Sequence, residues 1–266
     1  MQSAKFGVIG GSEFASIFSK PTKLDMNTRY GKPSDLISVG SVAGRRVVLL
    51  QRHGKQHTIP PHRIPYKANI EALKKLGVER VLASAAVGSL RKDYKPGELV
   101  ILDQFINMTS SRDDTFFHEA PVTHISTAYP YCRELRSIAI SAAKEKKLPF
   151  HENGTVVVIN GPRFSSKAES NLFKNMNADV INMTMYPEIA LAREREMCYL
   201  GIALVTDYDA GIDGAAEKPV SLDEVNRIAS QGFLKLKDLM LEVISIAPSK
   251  RGCDCGHVLD NAVINP

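Results

Sequence analysis

Two carboxylates two positions apart, Asp207 and Asp209 in the run Thr206-Asp207-Tyr208-Asp209, are the groups best placed to move a proton. In an extended chain, side chains at i and i+2 point the same way, so both would face one ligand if the preceding strand continues. Taken alone, Asp-x-Asp is more often a solvated loop or a cation site. Four other runs offer donors to an anion. Gly10-Gly11-Ser12 lets the backbone come close and adds a hydroxyl, or is a plain turn. It matches neither the dinucleotide fingerprint nor a P-loop, because no Gly-Lys-Ser/Thr follows. Arg52-His53-Gly54 supplies the side chain best matched to bidentate phosphate contact. The small residues Ser84-Ala85-Ala86-Val87-Gly88-Ser89 either pack a strand tightly on a helix or turn amides toward an anion. Asn182-Met183-Thr184 sets a thioether against a sugar face and a hydroxyl near phosphate, or merely caps a helix.

Metal chemistry is poorly supported. His53 and His57 have zincin spacing, but no general-base Glu lies between them, and Gly54 and Pro60 disfavour the helix that motif needs. Cys253-Asp254-Cys255 brings two thiols one residue apart, closer than the usual pair of a structural zinc site. The four cysteines, Cys132, Cys198, Cys253 and Cys255, form an even set. In a cytosolic protein they would be thiols, with intracellular proteins of hyperthermophiles the known exception.

These groups must be held by an α/β framework. Short β-rich runs at residues 5–9, 36–42, 45–51, 80–86, 98–102, 155–159, 180–182 and 199–206 alternate with helical patterns at 66–76, 131–147, 166–175, 187–197 and 222–246. That alternation predicts a three-layer α/β fold, and α/β folds place ligands at the carboxyl ends of strands. Serines open the third helix and Pro187 the fourth, both favourable at a helix start. Irregular stretches at 54–65 and 107–130 are long enough to be functional or to cover an interface. With 266 residues, 44% hydrophobic and 24% charged, the chain is an ordinary globular protein, expected in the cytoplasm. It has no apolar run of the roughly 20 residues needed to cross a bilayer, and no secretory leader is expected. The net charge of +5 is scattered, without the aromatic-basic motif of a nucleic-acid binder, so neither nucleic acid nor membrane is an expected partner.

In order along the chain these runs resemble the 5′-methylthioadenosine phosphorylases of the trimeric purine nucleoside phosphorylase superfamily. Ile9-Gly10-Gly11-Ser12, Gly31-Lys32-Pro33-Ser34-Asp35 and Arg52-His53-Gly54-Lys55-Gln56-His57-Thr58-Ile59 carry the resemblance in the first third. Asp103-Gln104-Phe105-Ile106, Gly161-Pro162-Arg163-Phe164-Ser165-Ser166, Asp179-Val180-Ile181-Asn182-Met183-Thr184 and Thr206-Asp207-Tyr208-Asp209 carry it onward. It spans about residues 5–245. It implies a single three-layer domain over residues 1–247, with a mixed, partly barrel-like central sheet flanked by helices, and a tail at 248–266 bearing the Cys-x-Cys. It also implies a homotrimer or a dimer of trimers, and no cofactor beyond inorganic phosphate as co-substrate.

The reaction implied is phosphorolysis of 5′-methylthioadenosine to adenine and 5-methylthioribose 1-phosphate. A broader purine nucleoside phosphorylase acting on inosine, guanosine or adenosine is the alternative. Ser12, Arg52, His53, Ala85, Ala86 and Thr184 would form the phosphate site. Met183 would lie against the ribose and Phe164 beside the base, while Asp207 and Asp209 would read the base edge, with Asp207 as proton donor. Ser165 and Leu222 would set selectivity and pocket shape, and His124 would reach in from a neighbouring subunit. The sequence departs from its relatives at Ser12, at Met185-Tyr186, and in the loop Ala-Gly-Ile-Asp-Gly-Ala-Ala after Asp209. For the cysteines, Cys132 with Cys198 and Cys253 with Cys255 is the pairing to test.

Overall fold

Residues Arg80–Ser89 form the strand around which the sheet is organised. In chain order the strands are β1 (Phe6–Gly10), β2 (Thr22–Leu24), β3 (Ile37–Val42), β4 (Arg45–Gln51), β5 (Arg80–Ser89) and β6 (Leu99–Ile101). They continue with β7 (Gln104–Met108), β8 (Phe150–His151), β9 (Thr155–Ile159), β10 (Val180–Asn182) and β11 (Cys198–Tyr208). The helices are α1 (Tyr66–Lys75), α2 (Arg133–Glu145), α3 (Lys167–Asn175), α4 (Met185–Glu194) and α5 (Leu222–Ile246). This computed structural model describes residues 4–210 and 221–264, without the side chains of Ser12, Leu222 and Glu224.

One sheet runs β2-β3-β4-β1-β5-β10-β9-β7, with β11, β6 and β8 branching from β5. The fork has a simple cause. β1 is short and covers only the first part of one edge of β5, from Arg80 to Ala83. β10 takes up the end of that edge antiparallel, at Gly88 and Ser89. The other edge belongs to β11, which runs parallel to β5 from Cys198 opposite Arg80 to Tyr208 opposite Ser89. The two branches give the mixed sheet its partly barrel-like form. β5 and β11 are buried almost throughout, as strands covered on both faces must be.

Helices cover both faces. Ile70 and Leu73 of α1 join Ile189 and Leu191 of α4 on one side. Leu135 and Ala139 of α2 meet Leu236, Leu239 and Met240 of α5 on the other. Phe173 of α3 packs on Val157 in a third, smaller cluster. The serine start of α3 acts as expected: Ser166 accepts from the Glu169 amide, and the Glu169 carboxylate accepts from the Ser166 amide. α4 stops at Glu194, short of the predicted 197, because Glu196 turns left-handed at φ 55°.

The strands β2, β7 and β8 were not anticipated. The first and last are only three and two residues long, too brief for an alternation pattern. β7 follows β6 after two residues, between the predicted strand at 98–102 and the irregular stretch predicted from 107, which takes in only its last two residues. Near its end β11 carries a bulge: Val205 pairs with Val87 and Asp207 with Gly88, leaving Thr206 as the extra residue. The C-terminal segment folds back on the body. Thr123 bridges Val263, the His124 amide donates to the Ala262 carbonyl at 2.8 Å, and the Ile264 amide donates to Val122 at 2.9 Å. Among the described residues no helix is long and apolar enough to cross a membrane.

Candidate functional site

The segments leaving β1 and β4, the last half of β5 and the ends of β10 and β11 converge on one cavity of about 610 Å³. The first two are stitched together, since the Arg52 amide donates to the Gly10 carbonyl at 2.9 Å. One end of the cavity is rich in donors: Gly11, Arg52, Ser84, Ala85, Ala86 and Thr184 line it. Asp207, Asp209, Phe164 and Ser165 line it as well, with Met183. Thus most of the residues singled out from the sequence share one enclosure. The volume suits a small molecule of nucleoside size with an anion beside it.

Arg52 is only 3% exposed and is held tightly. Its Nε and Nη2 donate to the two oxygens of Glu188, each at 2.7 Å, and Nη1 donates to the Ser84 carbonyl at 2.8 Å. Burial opposes the guanidinium charge, but the fully buried Glu188 more than offsets this and holds the pKa above its ordinary value. The Tyr199 hydroxyl donates to the same carboxylate at 2.6 Å. Three of the five guanidinium N–H groups are thereby used, and two remain. Glu188 and Tyr199 were not foreseen. The signal was an acidic residue set among apolar ones, in Pro187-Glu188-Ile189-Ala190.

His53 stacks on His57 with ring centroids 4.1 Å apart. Its Nδ1 lies 2.8 Å from the Ile59 carbonyl, which can only accept, so Nδ1 carries the proton. Burial pushes its pKa down to about 4, leaving a neutral ring whose Nε2 is an acceptor. Thr184 is placed by Asn182, whose Oδ1 accepts from the amides of Thr184 and Met185 at 2.6 and 2.7 Å. Asn182 also donates to the Ala86 carbonyl at 3.3 Å, tying β10 to β5.

At the carboxylate end, Asp207 Oδ2 accepts from Thr206 Oγ1 at 2.8 Å. A methyl at Gly88 would sit 3.1 Å from Asp207 Oδ1 and 3.4 Å from the Asp209 Cβ, so glycine there makes room for both. Asp209 is 2% exposed, and burial pushes its pKa up, against the opposing pull of Ser170 and Ser165. Neither serine hydroxyl completes a hydrogen bond, and both are buried without partners, as is Asp209 Oδ2. Buried polar atoms in that state are suited to meet the edge of a ligand.

Gly161 adopts φ 64°, and a side chain there would strike the Met183 sulfur at 2.5 Å. Arg112 fixes the same wall, with Nη2 donating to the Met183 carbonyl at 2.9 Å and the Asn160 carbonyl at 3.0 Å. Phe164 is 42% exposed beside this wall.

Three expectations fall elsewhere. The Ser12 and Leu222 side chains lie outside the described residues, although Gly11 and Glu13 line the cavity, as do Val225 and Ala229 of α5. Most of the distinctive loop after Asp209, residues 211–220, is outside them too. His124 is exposed, away from this chain's cavity, on the loop pinned by the C-terminal segment. Apart from the cavity, the four cysteines converge: their sulfurs all lie within 4.8 Å of one another, with Cys198 and Cys253 at 3.3 Å. The tail cysteines are thus packed against the body, a set compatible with disulfides or with tetrahedral thiolate ligation.

The family model described as the phosphorylase superfamily matches residues 5–245. The S-methyl-5′-thioadenosine phosphorylase of Thermofilum pendens is 48% identical over 266 residues, covering 99% of this chain and 100% of that one. The enzyme of the same name from Pyrococcus horikoshii is 49% identical over 255 residues, covering 96% of this chain and 97% of its own. Among solved structures, methylthioadenosine phosphorylase from Schistosoma mansoni in complex with adenine superposes with a TM-score of 0.88 at 38% identity, covering 94% of this chain and 93% of that one.

Proposed function

The chain belongs to the phosphorylase superfamily, and from that premise we propose that it cleaves 5′-methylthioadenosine with inorganic phosphate, giving adenine and 5-methylthioribose 1-phosphate. One observation carries the reading. A single cavity joins a donor-rich end around Arg52 to a paired-carboxylate end at Asp207 and Asp209. A phosphorylase needs both, set on opposite sides of one sugar.

Phosphate attacks the anomeric carbon as the bond to the purine breaks, so positive charge builds on the sugar and negative charge on the base. Arg52, Ser12, Thr184 and the amides of Ala85 and Ala86 hold the phosphate, and its charge steadies the cationic sugar. His53 completes that end. Met183 packs on the ribose and Phe164 on the base. Asp207, as the carboxylic acid, gives a proton to N7 of the leaving purine, a step typically worth 10²–10⁴-fold. Asp209 accepts from the 6-amino group, with Ser165 alongside, which favours adenine over a 6-oxo base. Leu222 shapes the 5′ end, and His124 of a neighbouring copy closes it in a homotrimer or a dimer of trimers. In this reading the reaction calls on no metal or organic cofactor, and the protein works in the cytoplasm.

The test is direct. Methylthioadenosine, inosine and guanosine are incubated with and without phosphate, and free base is measured. Adenine release from methylthioadenosine that requires phosphate supports the reading. Undiminished release without phosphate ends it, and equal turnover of inosine would replace it with a broad purine nucleoside phosphorylase.

A further inference from the structure

The anion end of the cavity also contains acceptors, which an anion site would ordinarily avoid. Glu13, on the short turn after β1, lines the cavity beside Arg52 and Ser84. Its Oε1 accepts from the Gly11 amide at 3.0 Å and from Ser84 Oγ at 3.2 Å. It is packed onto the turn so closely that a side chain at Gly11 would meet Oε2 at 2.4 Å. An amide and a hydroxyl hold this carboxylate, while the one buried cation nearby, Arg52, is already paired with Glu188. The site therefore presents a carboxylate of its own beside its donors. His53 adds a second acceptor, because its Nδ1 proton is committed to the Ile59 carbonyl at 2.8 Å and Nε2 retains its lone pair.

We propose that Glu13, assisted by neutral His53, makes this pocket select an oxyanion that carries a proton over one that can only accept. Phosphate near neutral pH has a P–OH to donate to the carboxylate. Sulfate, of the same shape, has none and would set bare oxygen against bare oxygen. Discrimination of this kind works by penalising the wrong ligand through an unpaired charge. Glu13 is thus a specificity-determining residue for the co-substrate, an inference that rests on the phosphate reading above.

The experiment is steady-state phosphorolysis of methylthioadenosine by the full-length enzyme, with phosphate varied and sulfate as competitor, for wild type and Glu13→Gln. Glutamine keeps the size, removes the charge and adds a donor. In wild type, sulfate should inhibit at concentrations far above the phosphate KM. In Glu13→Gln the ratio of sulfate inhibition constant to phosphate KM should fall on the order of ten- to a hundredfold, the worth of one hydrogen bond to a charged group. Arsenate, which is protonated like phosphate, should replace it in both proteins. An unchanged ratio, or sulfate competing as well as phosphate in wild type, overturns the inference. Loss of phosphate dependence in wild type would instead overturn the phosphorylase reading. If Glu13→Gln does not fold, thermal shifts of wild type decide: stabilisation by sulfate equal to that by phosphate sinks the idea, and stabilisation by phosphate and arsenate alone supports it.

Discussion

Glu188 grips Arg52 through two parallel hydrogen bonds of 2.7 Å, with both side chains buried beneath the anion end of the cavity. This pair comes from the ends of β4 and the first turn of α4, so it couples one layer of the fold to the floor of the site. Removing one member of a buried pair leaves the other charge uncompensated, at a cost of about 3–5 kcal/mol. Glu188→Ala should lower the unfolding free energy by that amount in urea melts. It should also raise the phosphate KM more than the nucleoside KM, as should Arg52→Ala. A nucleoside-only effect would mean that Arg52 does not serve the anion.

In the proposed mechanism the two carboxylates have separate tasks. Asp207→Asn keeps the size and removes the transferable proton, so kcat for methylthioadenosine should drop about 10²–10⁴-fold with little change in binding. Asp209→Asn supplies an amide able to donate to a 6-oxo base, so the ratio of kcat/KM for methylthioadenosine over inosine should fall. Full turnover by Asp207→Asn, or an unaltered ratio in Asp209→Asn, removes that part of the mechanism.

Stability should depend on pH through His53. Its folded pKa, pushed down to about 4, lies below the unfolded value near 6.5. The folded state therefore binds fewer protons in that window, and stability present above pH 6.5 is lost as pH falls toward 4, by up to about 3 kcal/mol. Asp209 works in the opposite sense: with its pKa raised by burial, its contribution is present below the ordinary carboxylate range and lost as pH rises through the raised value. Melting temperatures of His53→Gln should lack the decline on the acid side of pH 6.5 that wild type shows. An identical pH profile in the two proteins would contradict this.

The four sulfurs within 4.8 Å of one another should be oxidised to two disulfides in the isolated protein, with Cys132–Cys198 and Cys253–Cys255 as the pairing to test against the 3.3 Å neighbours Cys198 and Cys253. Unfolding without reductant should then expose no titratable thiol, and reduction should cost about 2–5 kcal/mol of stability for Cys132–Cys198, and less for Cys253–Cys255, which closes only a very short loop. Four thiols in the unfolded, unreduced chain would refute the pairing, and elemental analysis would show whether a metal holds them instead.

The α/β framework was legible because its main elements have strong local signals. Residues 45–51 and 222–246 were read with the boundaries the structure shows, the first from a β-rich run after a turn and the second from helical periodicity. The site was legible because Gly11, Arg52 and Thr184 follow strands and Asp207 lies near the end of one, and strand ends in such folds meet at one edge. What stayed hidden depends on distance along the chain. Glu188 is 136 residues from Arg52, and its apolar neighbours mark it as buried without identifying its partner. Cys132 and Cys253 belong to segments that only the docking of the C-terminal residues brings together. Glu13 was passed over because its carboxylate takes on meaning only beside the Ser84 hydroxyl, 71 residues away.

Thr206 is the residue the ladder between β11 and β5 does not count, since pairing passes from Val205 to Asp207 and then proceeds in step. A variant lacking this single codon would therefore keep every later residue of the strand opposite its present neighbour. It would lose the local bend and a cavity-lining hydroxyl that now donates to Asp207 Oδ2 at 2.8 Å and lies 3.3 Å from the Val87 carbonyl. The aim of the carboxylate and the integrity of the sheet can thus vary separately in this chain. In the proposed mechanism, change at this position would retune where the proton is delivered while the pairing of the strand that carries Asp207 stays in step.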